Sequence, residues 1–104
     1  MNRITLNNNI QMPMLGFGTF LMSGSECEES GLAAIRSGYR MIDTAEAYGN
    51  EEAVGGAIVR SGIPREELFL VTKVNFRSYE NTRETVEASL TKLKTSYLDL
   101  VLLH

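Results

Sequence analysis

The stretch DTAEAYGNEE, from Asp43 to Glu52, joins a short apolar run to the start of a helix. The run YRMID ends at Asp43. Asn50 is a good N-cap residue, and the glutamates that follow it suit the positive end of a helix dipole. The stretch therefore predicts a strand followed by a helix, with an acid at the end of the strand and a tyrosine, Tyr48, in the loop between them.

Four apolar runs rich in branched or bulky residues predict strands. Their nearly continuous apolar character is typical of strands covered on both faces of a parallel sheet. The runs are MLGFGTF, YRMID, LFLVTKV and LDLVLLH. Ahead of them, ITLNNNIQM predicts a β-hairpin, because its three asparagines tolerate left-handed backbone in a turn.

Three helical stretches alternate with these strands. We expect the first to open at Ser25, with Glu28 closing a capping box, and the second to begin at Asn50. The third is expected from Asn81 or Thr82. Its apolar residues at helical spacing are Val86, Leu90, Leu93 and Tyr97. The order predicts an α/β fold: an N-terminal β-hairpin, then strand, helix, strand, helix, strand, helix and strand, in a parallel sheet with right-handed crossovers.

Two architectures fit this order, an open doubly wound sheet and the first half of a closed (β/α)8 TIM barrel. A full barrel takes about 250 residues, whereas this chain has 104. The last predicted strand also leaves an edge with nothing to pair with it. On the barrel interpretation, residues 1–104 are a partial barrel domain without its carboxyl-terminal half, and the exposed edge strand favours self-association of the fragment.

Composition limits the classes of partner. The chain is 43% hydrophobic and 22% charged, as in an ordinary globular domain, and its net charge of −3 provides no basic surface for nucleic acid or an anionic membrane. No stretch approaches the roughly 20 apolar residues that span a bilayer. One cysteine, Cys27, and a start without an apolar signal core predict a cytoplasmic location. No spacing of His or Cys predicts a metal site.

Four polar residues fall at or just after the carboxyl ends of successive predicted strands. They are Asp43, Tyr48, Lys73 and His104. In barrels and in open α/β sheets this edge is where ligands bind. Taken singly, each residue has an ordinary structural explanation, such as a turn, a packed aromatic or a chain end. Their joint placement favours a single site.

The chemistry that these four side chains suit is proton transfer to or from an oxygen. An ammonium held close to a phenol stabilises the phenolate that remains when the tyrosine gives up its proton, so Lys73 can activate Tyr48. Asp43 on the neighbouring strand can keep Lys73 charged. A neutral imidazole at His104 can donate a hydrogen bond to a carbonyl oxygen and orient it.

The first strand carries two glycines that allow two interpretations. GFGTF lacks the third glycine of a dinucleotide-binding fingerprint, since Leu21 stands in its place. A glycine within a strand marks a close approach of a ligand or of another segment. Gly18 and Thr19 are therefore either neighbours of a flat ring or part of tight packing against the hairpin, and the sequence alone does not separate the two.

With these residues in place, the chain resembles the amino-terminal part of an aldo-keto reductase. The segments MPMLGFGTF, SGYRMIDTAEAYGNEEAVGGAI, LFLVTKV and SYLDLVLLH follow that family's motifs in order and approximate spacing. The second segment is highly specific, and the likeness covers essentially the whole chain. Within the family, the chain looks closest to the bacterial branch that includes 2,5-diketogluconate reductases.

The resemblance implies a barrel enzyme that reduces aldehydes or ketones to alcohols by hydride transfer from NADPH, with NADH as an alternative, and without metal or flavin. It implies that Tyr48 is the proton donor, that Lys73 and Asp43 tune it, and that His104 orients the substrate. Gly18, Thr19 and Asp43 match positions that line the nicotinamide and its ribose. Asn75, where this branch usually has tryptophan, and Met41 depart from the family pattern and bear on substrate preference.

Three hypotheses follow. The first is a reductase fragment that is inactive alone, because most contacts with the adenosine and phosphates of the cofactor come from the second half of the family's barrel. The second is a non-catalytic binding or regulatory module on the same scaffold, which the intact four residues disfavour. The third is a free-standing small α/β domain whose polar residues are structural, with its exposed last strand as a route to dimerisation.

Overall fold

The computed structural model describes residues 3–104. A two-stranded antiparallel hairpin precedes a four-stranded parallel sheet and three α-helices. The elements are β1 (Arg3–Thr5), β2 (Gln11–Pro13), β3 (Phe17–Gly18), α1 (Gly24–Arg36), β4 (Met41–Asp43), α2 (Glu51–Ser61), β5 (Phe69–Val74), α3 (Thr82–Leu93) and β6 (Leu100–Leu103). Short 3₁₀ turns cover Glu46–Tyr48, Arg65–Glu67 and Phe76–Asn81.

The hairpin forms where the three asparagines predict it. Strands β1 and β2 pair from Arg3 with Pro13 to Thr5 with Gln11. Asn9 takes the left-handed conformation, with φ 68°, and its N–H donates to the carbonyl of Leu6. Asparagine tolerates this backbone conformation better than most residues, so the turn prediction is confirmed.

The sheet has the order β3-β4-β5-β6, and all of its pairs are parallel. Its register aligns Gly18 with Asp43, Asp43 with Val71, and Lys73 with Leu102. Residues aligned in this way face the same side of the sheet. The register therefore brings the carboxyl ends of the four strands to one edge, with Gly18, Asp43 and Lys73 on one face.

The helices cover the opposite face of the sheet and enclose the hydrophobic core. The fully or nearly fully buried apolar side chains come from all three helices and the central strands: Cys27, Ile35, Ile42, Val54, Ile58, Leu68, Leu70 and Leu93. One carboxylate is buried among these layers. Glu51, 2% exposed, accepts hydrogen bonds from Thr72 at 2.6 Å and Ser89 at 3.0 Å, and so joins α2, β5 and α3.

The helix termini correct two predictions. Helix α1 begins at Gly24 behind Ser23, which makes no side-chain cap bond, so the predicted capping box from Ser25 is wrong. Helix α3 ends at Leu93 because Lys94 adopts the left-handed conformation, φ 57°. Tyr97 therefore lies beyond the helix, and the prediction that it belongs to the helical face is wrong. The strand predicted over MLGFGTF is also shorter, as β3 holds only Phe17 and Gly18.

A partly buried arginine joins the amino ends of β5 and β6. Arg65 forms an ion pair with Asp99 at 2.8 Å, and the two side chains are 17% and 18% exposed. The guanidinium also lies 4.0 Å from the centre of the Tyr97 ring, and Asp99 accepts the N–H of Leu70 at 2.8 Å. These contacts lie at the end of the sheet opposite to the four polar residues and hold the two strands in register.

Candidate active site

An ion pair stands at the carboxyl ends of the two central strands. Asp43 is the last residue of β4, and Lys73 is the fifth of six residues in β5. Because the register directs both side chains to the same face, the Lys73 ammonium reaches the Asp43 carboxylate, with Nζ 2.6 Å from Oδ1. Only 13% of the Lys73 side chain is exposed, against 42% of the Asp43 side chain.

Tyr48 meets the same ammonium from the loop that follows β4. The 3₁₀ turn Glu46–Tyr48 ends at Gly49, whose φ of 69° is the left-handed conformation that glycine adopts readily. This turn places the Tyr48 hydroxyl oxygen 3.4 Å from Lys73 Nζ. The third acceptor of the ammonium is the backbone carbonyl of Thr44, at 3.1 Å. A lysine ammonium has three protons, and three acceptors surround this one.

His104 completes the group at the end of the neighbouring strand. Its backbone N–H donates to the carbonyl of Val74 at 2.9 Å, which continues the pairing of β6 with β5. Its ring lies edge-on to the Tyr48 ring, with the centroids 5.8 Å apart and the planes at 83°. Its carbonyl accepts the Tyr79 hydroxyl at 3.1 Å. The structure thus brings together Asp43, Tyr48, Lys73 and His104, as the sequence predicts.

Gly18 and Thr19 differ in what they present to the site. A Cβ atom placed on Gly18 would meet no heavy atom within 4 Å, so open space lies above this residue, which is aligned with Asp43. Thr19 is fully buried, and both its N–H and its hydroxyl donate to the carbonyl of Asp43, at 3.1 and 3.2 Å. These two hydrogen bonds hold the backbone at the end of β4. Contact between Thr19 and a cofactor stays a prediction, and it would require exposing this residue.

Three neighbouring residues were not singled out for the site by the sequence. The Phe20 ring is 65% exposed and lies 5.2 Å from the Tyr48 ring. Its position just past the end of β3 is a signal that could have identified it. Thr44 and Asn50 share a buried hydrogen bond of 2.6 Å. Asn50 occupies the N-cap position of α2 as predicted, but its side chain makes no cap bond and is directed into the interior.

The side chains of the candidate site favour proton transfer. Among residues 3–104, no group of three or more His, Cys, Asp or Glu side chains is placed to hold a metal ion. In the same range no helix is long and apolar enough to cross a bilayer. A charged amine in contact with a phenol, beside an imidazole, is an arrangement for delivering a proton to a substrate oxygen.

Comparison with known proteins identifies the scaffold. The model of the Aldo/keto reductase family matches residues 14–104. This chain belongs to that family. Its relatives include a protein named glyoxal reductase from Bacillus subtilis, 48% identical over 104 residues, and a protein named aldo-keto reductase from Mycolicibacterium vanbaalenii, 47% identical over 103 residues. Each alignment covers 97% of this chain.

Solved structures of aldo-keto reductases share the fold. An aldo/keto reductase from Brucella melitensis superposes with a TM-score of 0.95 at 44% identity, over 99% of this chain and 40% of that one. A Bombyx mori aldo-keto reductase in complex with NADP gives a TM-score of 0.94 at 35% identity, over 99% of this chain and 38% of that one. With the parallel sheet order, these matches confirm the amino-terminal half of a (β/α)8 barrel and exclude the open doubly wound alternative.

The chain spans well under half the length of these relatives. It covers 38% of the Bacillus subtilis protein and 37% of the Mycolicibacterium vanbaalenii protein. Placement in the 2,5-diketogluconate reductase branch stays a prediction, as does the description of residues 1–104 as one partial domain.

Proposed function

We propose that this chain carries the proton-donating half of a reductase that converts aldehydes or ketones to alcohols, with NADPH as hydride source and Tyr48 as proton donor. The observation that carries the proposal is the position of one ammonium. Lys73 Nζ contacts both the Asp43 carboxylate, at 2.6 Å, and the Tyr48 hydroxyl, at 3.4 Å. A packing role for Tyr48 alone would not require this contact.

The surroundings of Lys73 explain why it can act on Tyr48. The Asp43 carboxylate balances a lysine charge that is largely withdrawn from water. The ammonium in turn stabilises negative charge on the phenol oxygen as its proton leaves for the substrate. Asp43 and Lys73 therefore each need the other as a counter-charge, and proton donation by Tyr48 depends on both.

The residues at the rim fit a nicotinamide cofactor. The space above Gly18 is open, and Asp43 beside it keeps 42% of its side chain exposed for a ribose hydroxyl. When bound, NADPH supplies the hydride. The NADP complex of the Bombyx mori relative supports NADPH over NADH as the expected cofactor. Gly18 and Asp43 are the described residues that would hold the nicotinamide end.

Binding and orientation of the carbonyl fall to the aromatic residues around Tyr48. The His104 ring lies edge-on to the Tyr48 ring, and a neutral imidazole here would donate an N–H to the same oxygen that Tyr48 protonates. Phe20, whose ring lies 5.2 Å from the Tyr48 ring, provides an exposed apolar surface beside it. We expect a small carbonyl compound to bind beside these groups. The name of the Bacillus subtilis relative makes glyoxal a substrate to include in any panel.

The 104-residue chain alone is expected to be inactive, because among residues 3–104 only the nicotinamide end of a cofactor has candidate contacts. The test joins residues 1–104 to the remaining barrel of the Brucella melitensis relative and follows NADPH oxidation with a panel of aldehydes and ketones. We expect turnover by the completed chain and none by the 104-residue chain. A completed chain that binds NADPH but reduces no carbonyl compound would instead favour the non-catalytic binding module.

A further inference from the structure

We propose that Asn50 is a positioning residue for the Asp43–Lys73 ion pair, acting through Thr44 and Thr19. The inference deepens the proposed function and rests on it, since it assigns a task at the same site. Asn50 touches none of the reacting groups. It is 2% exposed, and its side chain lies behind the site, between the segments that follow β3 and β4.

The Asn50 side chain joins the start of α2 to two other segments, the one that follows β4 and the one that follows β3. Its carbonyl Oδ1 accepts the Thr44 hydroxyl at 2.6 Å. Its amide Nδ2 donates to the carbonyl of Thr19 at 2.8 Å and to that of Met22 at 2.9 Å. Both amide protons and the oxygen are therefore used. A buried side chain with this full set of partners fixes the positions of the segments that it joins.

The first connection leads to Lys73. Thr44 is fully buried, its N–H donates to Val71, and its hydroxyl donates to Asn50. The backbone and the side chain of Thr44 are thus both held, and its carbonyl is directed at the Lys73 ammonium, 3.1 Å away. Without Asn50 this carbonyl loses one of its two constraints, and the ammonium loses a fixed acceptor.

The second connection leads to Asp43. Asn50 holds the carbonyl of Thr19, and Thr19 donates twice to the carbonyl of Asp43. The two connections therefore reach both members of the ion pair from one buried amide. Position 50 differs in this from an ordinary helix N-cap, whose side chain would bond to the first turn of its own helix. The Asn50 side chain makes no such bond.

The test measures the Lys73 ammonium directly in the 104-residue chain. The chain has three lysines, and Lys92 and Lys94 are exposed, so ¹⁵N labelling of lysine gives one protected ammonium and two references. NMR then measures the exchange of the ammonium protons with water. Asn50→Ala is expected to speed exchange at Lys73 on the order of tenfold, the effect of loosening one hydrogen bond.

Matched substitutions separate positioning from general loss of stability. Thr44→Val and Thr72→Val each remove a buried hydroxyl that donates across 2.6 Å, the first to Asn50 and the second to Glu51. Both are expected to lower stability, but only Thr44→Val should speed exchange at Lys73. Thr44→Ser, which keeps the hydroxyl, should restore slow exchange. If Asn50→Ala does not fold, the comparison of Thr44→Val with Thr44→Ser tests the inference.

Three results would overturn the inference. They are equal effects of Thr44→Val and Thr72→Val, unchanged exchange in Asn50→Ala, and the absence of a protected Lys73 signal in the unsubstituted chain. A kinetic arm uses the completed chain, where Asn50→Ala should lower kcat with little change in KM. An inactive completed chain would count against the proposed function. The NMR measurement tests the positioning role of Asn50 separately, because it requires no enzymatic turnover.

Discussion

Lys73 donates to Asp43 across 2.6 Å while only 13% of the lysine side chain remains exposed. An ammonium so far withdrawn from water requires its carboxylate partner, and the other two acceptors, Thr44 and Tyr48, are both uncharged. The Asp43 carboxylate therefore balances the charge of the partly buried ammonium, and the same ion pair is the proposed source of activation for Tyr48.

Removing one member of this pair is expected to cost more than removing both. Asp43→Asn leaves the ammonium without a counter-charge and should lower the free energy of unfolding by about 2 kcal/mol. The double variant Asp43→Asn with Lys73→Met should regain part of that loss, because no isolated charge is left. Urea denaturation of the four chains measures the coupling, and strictly additive effects would show that the two residues are independent.

The Arg65–Asp99 ion pair, at the opposite end of the sheet, is expected to contribute to stability and not to the chemistry of the candidate site. Arg65→Met removes a cation that is 17% exposed and its bonds to Asp99, Thr95 and Tyr97, and should lower the free energy of unfolding by about 2 kcal/mol. The control is Arg60→Met, since Arg60 pairs with Glu28 and Glu29 at the exposed surface. Thermal unfolding that ranks Arg60→Met as the more damaging change would contradict this assignment.

Cys27 is expected to be unreactive in the folded chain. It is fully buried, and burial, followed by the nearby charges of Glu26 and Glu28, raises the pKa of its thiol above the ordinary value. Folding therefore favours the neutral thiol, and stability falls as pH rises past about 8.5, where the unfolded chain ionises first. A thiol reagent should label Cys27 quickly in urea and slowly without it. Equal rates would contradict the buried position.

The edge strand β6 is expected to drive self-association of the 104-residue chain. Val101 is 39% exposed and Leu103 is 69% exposed, on a strand paired on one side only among residues 3–104. Leu103→Lys should shift the chain toward monomer in sedimentation experiments, because a charge opposes edge pairing. Val59→Lys, at an exposed position on α2, is the control. A chain that is monomeric at every concentration would refute the expectation.

The sequence predicts the order of strands and helices along the chain and the four residues of the candidate site, because both predictions depend on local signals. Apolar runs define the strands, and the residue type at each strand end defines the chemistry. The hydrogen bonds of Asn50 behind the site could not be predicted from local signals. Asn50 at a helix start predicts a cap, yet its side chain bonds to Thr19 and Thr44, which only the folded chain brings near. The end of α3 was missed because Lys94, a good helix former, adopts left-handed backbone.

The most direct measurement of the central claim is the turnover number of the completed chain carrying Tyr48→Phe. The hydroxyl that contacts Lys73 is then absent while the ring that packs against Phe20 and His104 is kept. We predict a fall in kcat of at least about a hundredfold, the lower range for general acid catalysis, with NADPH affinity unchanged. Tyr97→Phe, at the far end of the sheet beneath Arg65, should have no effect. A Tyr48→Phe chain that turns over as fast as the Tyr97→Phe chain would contradict the account.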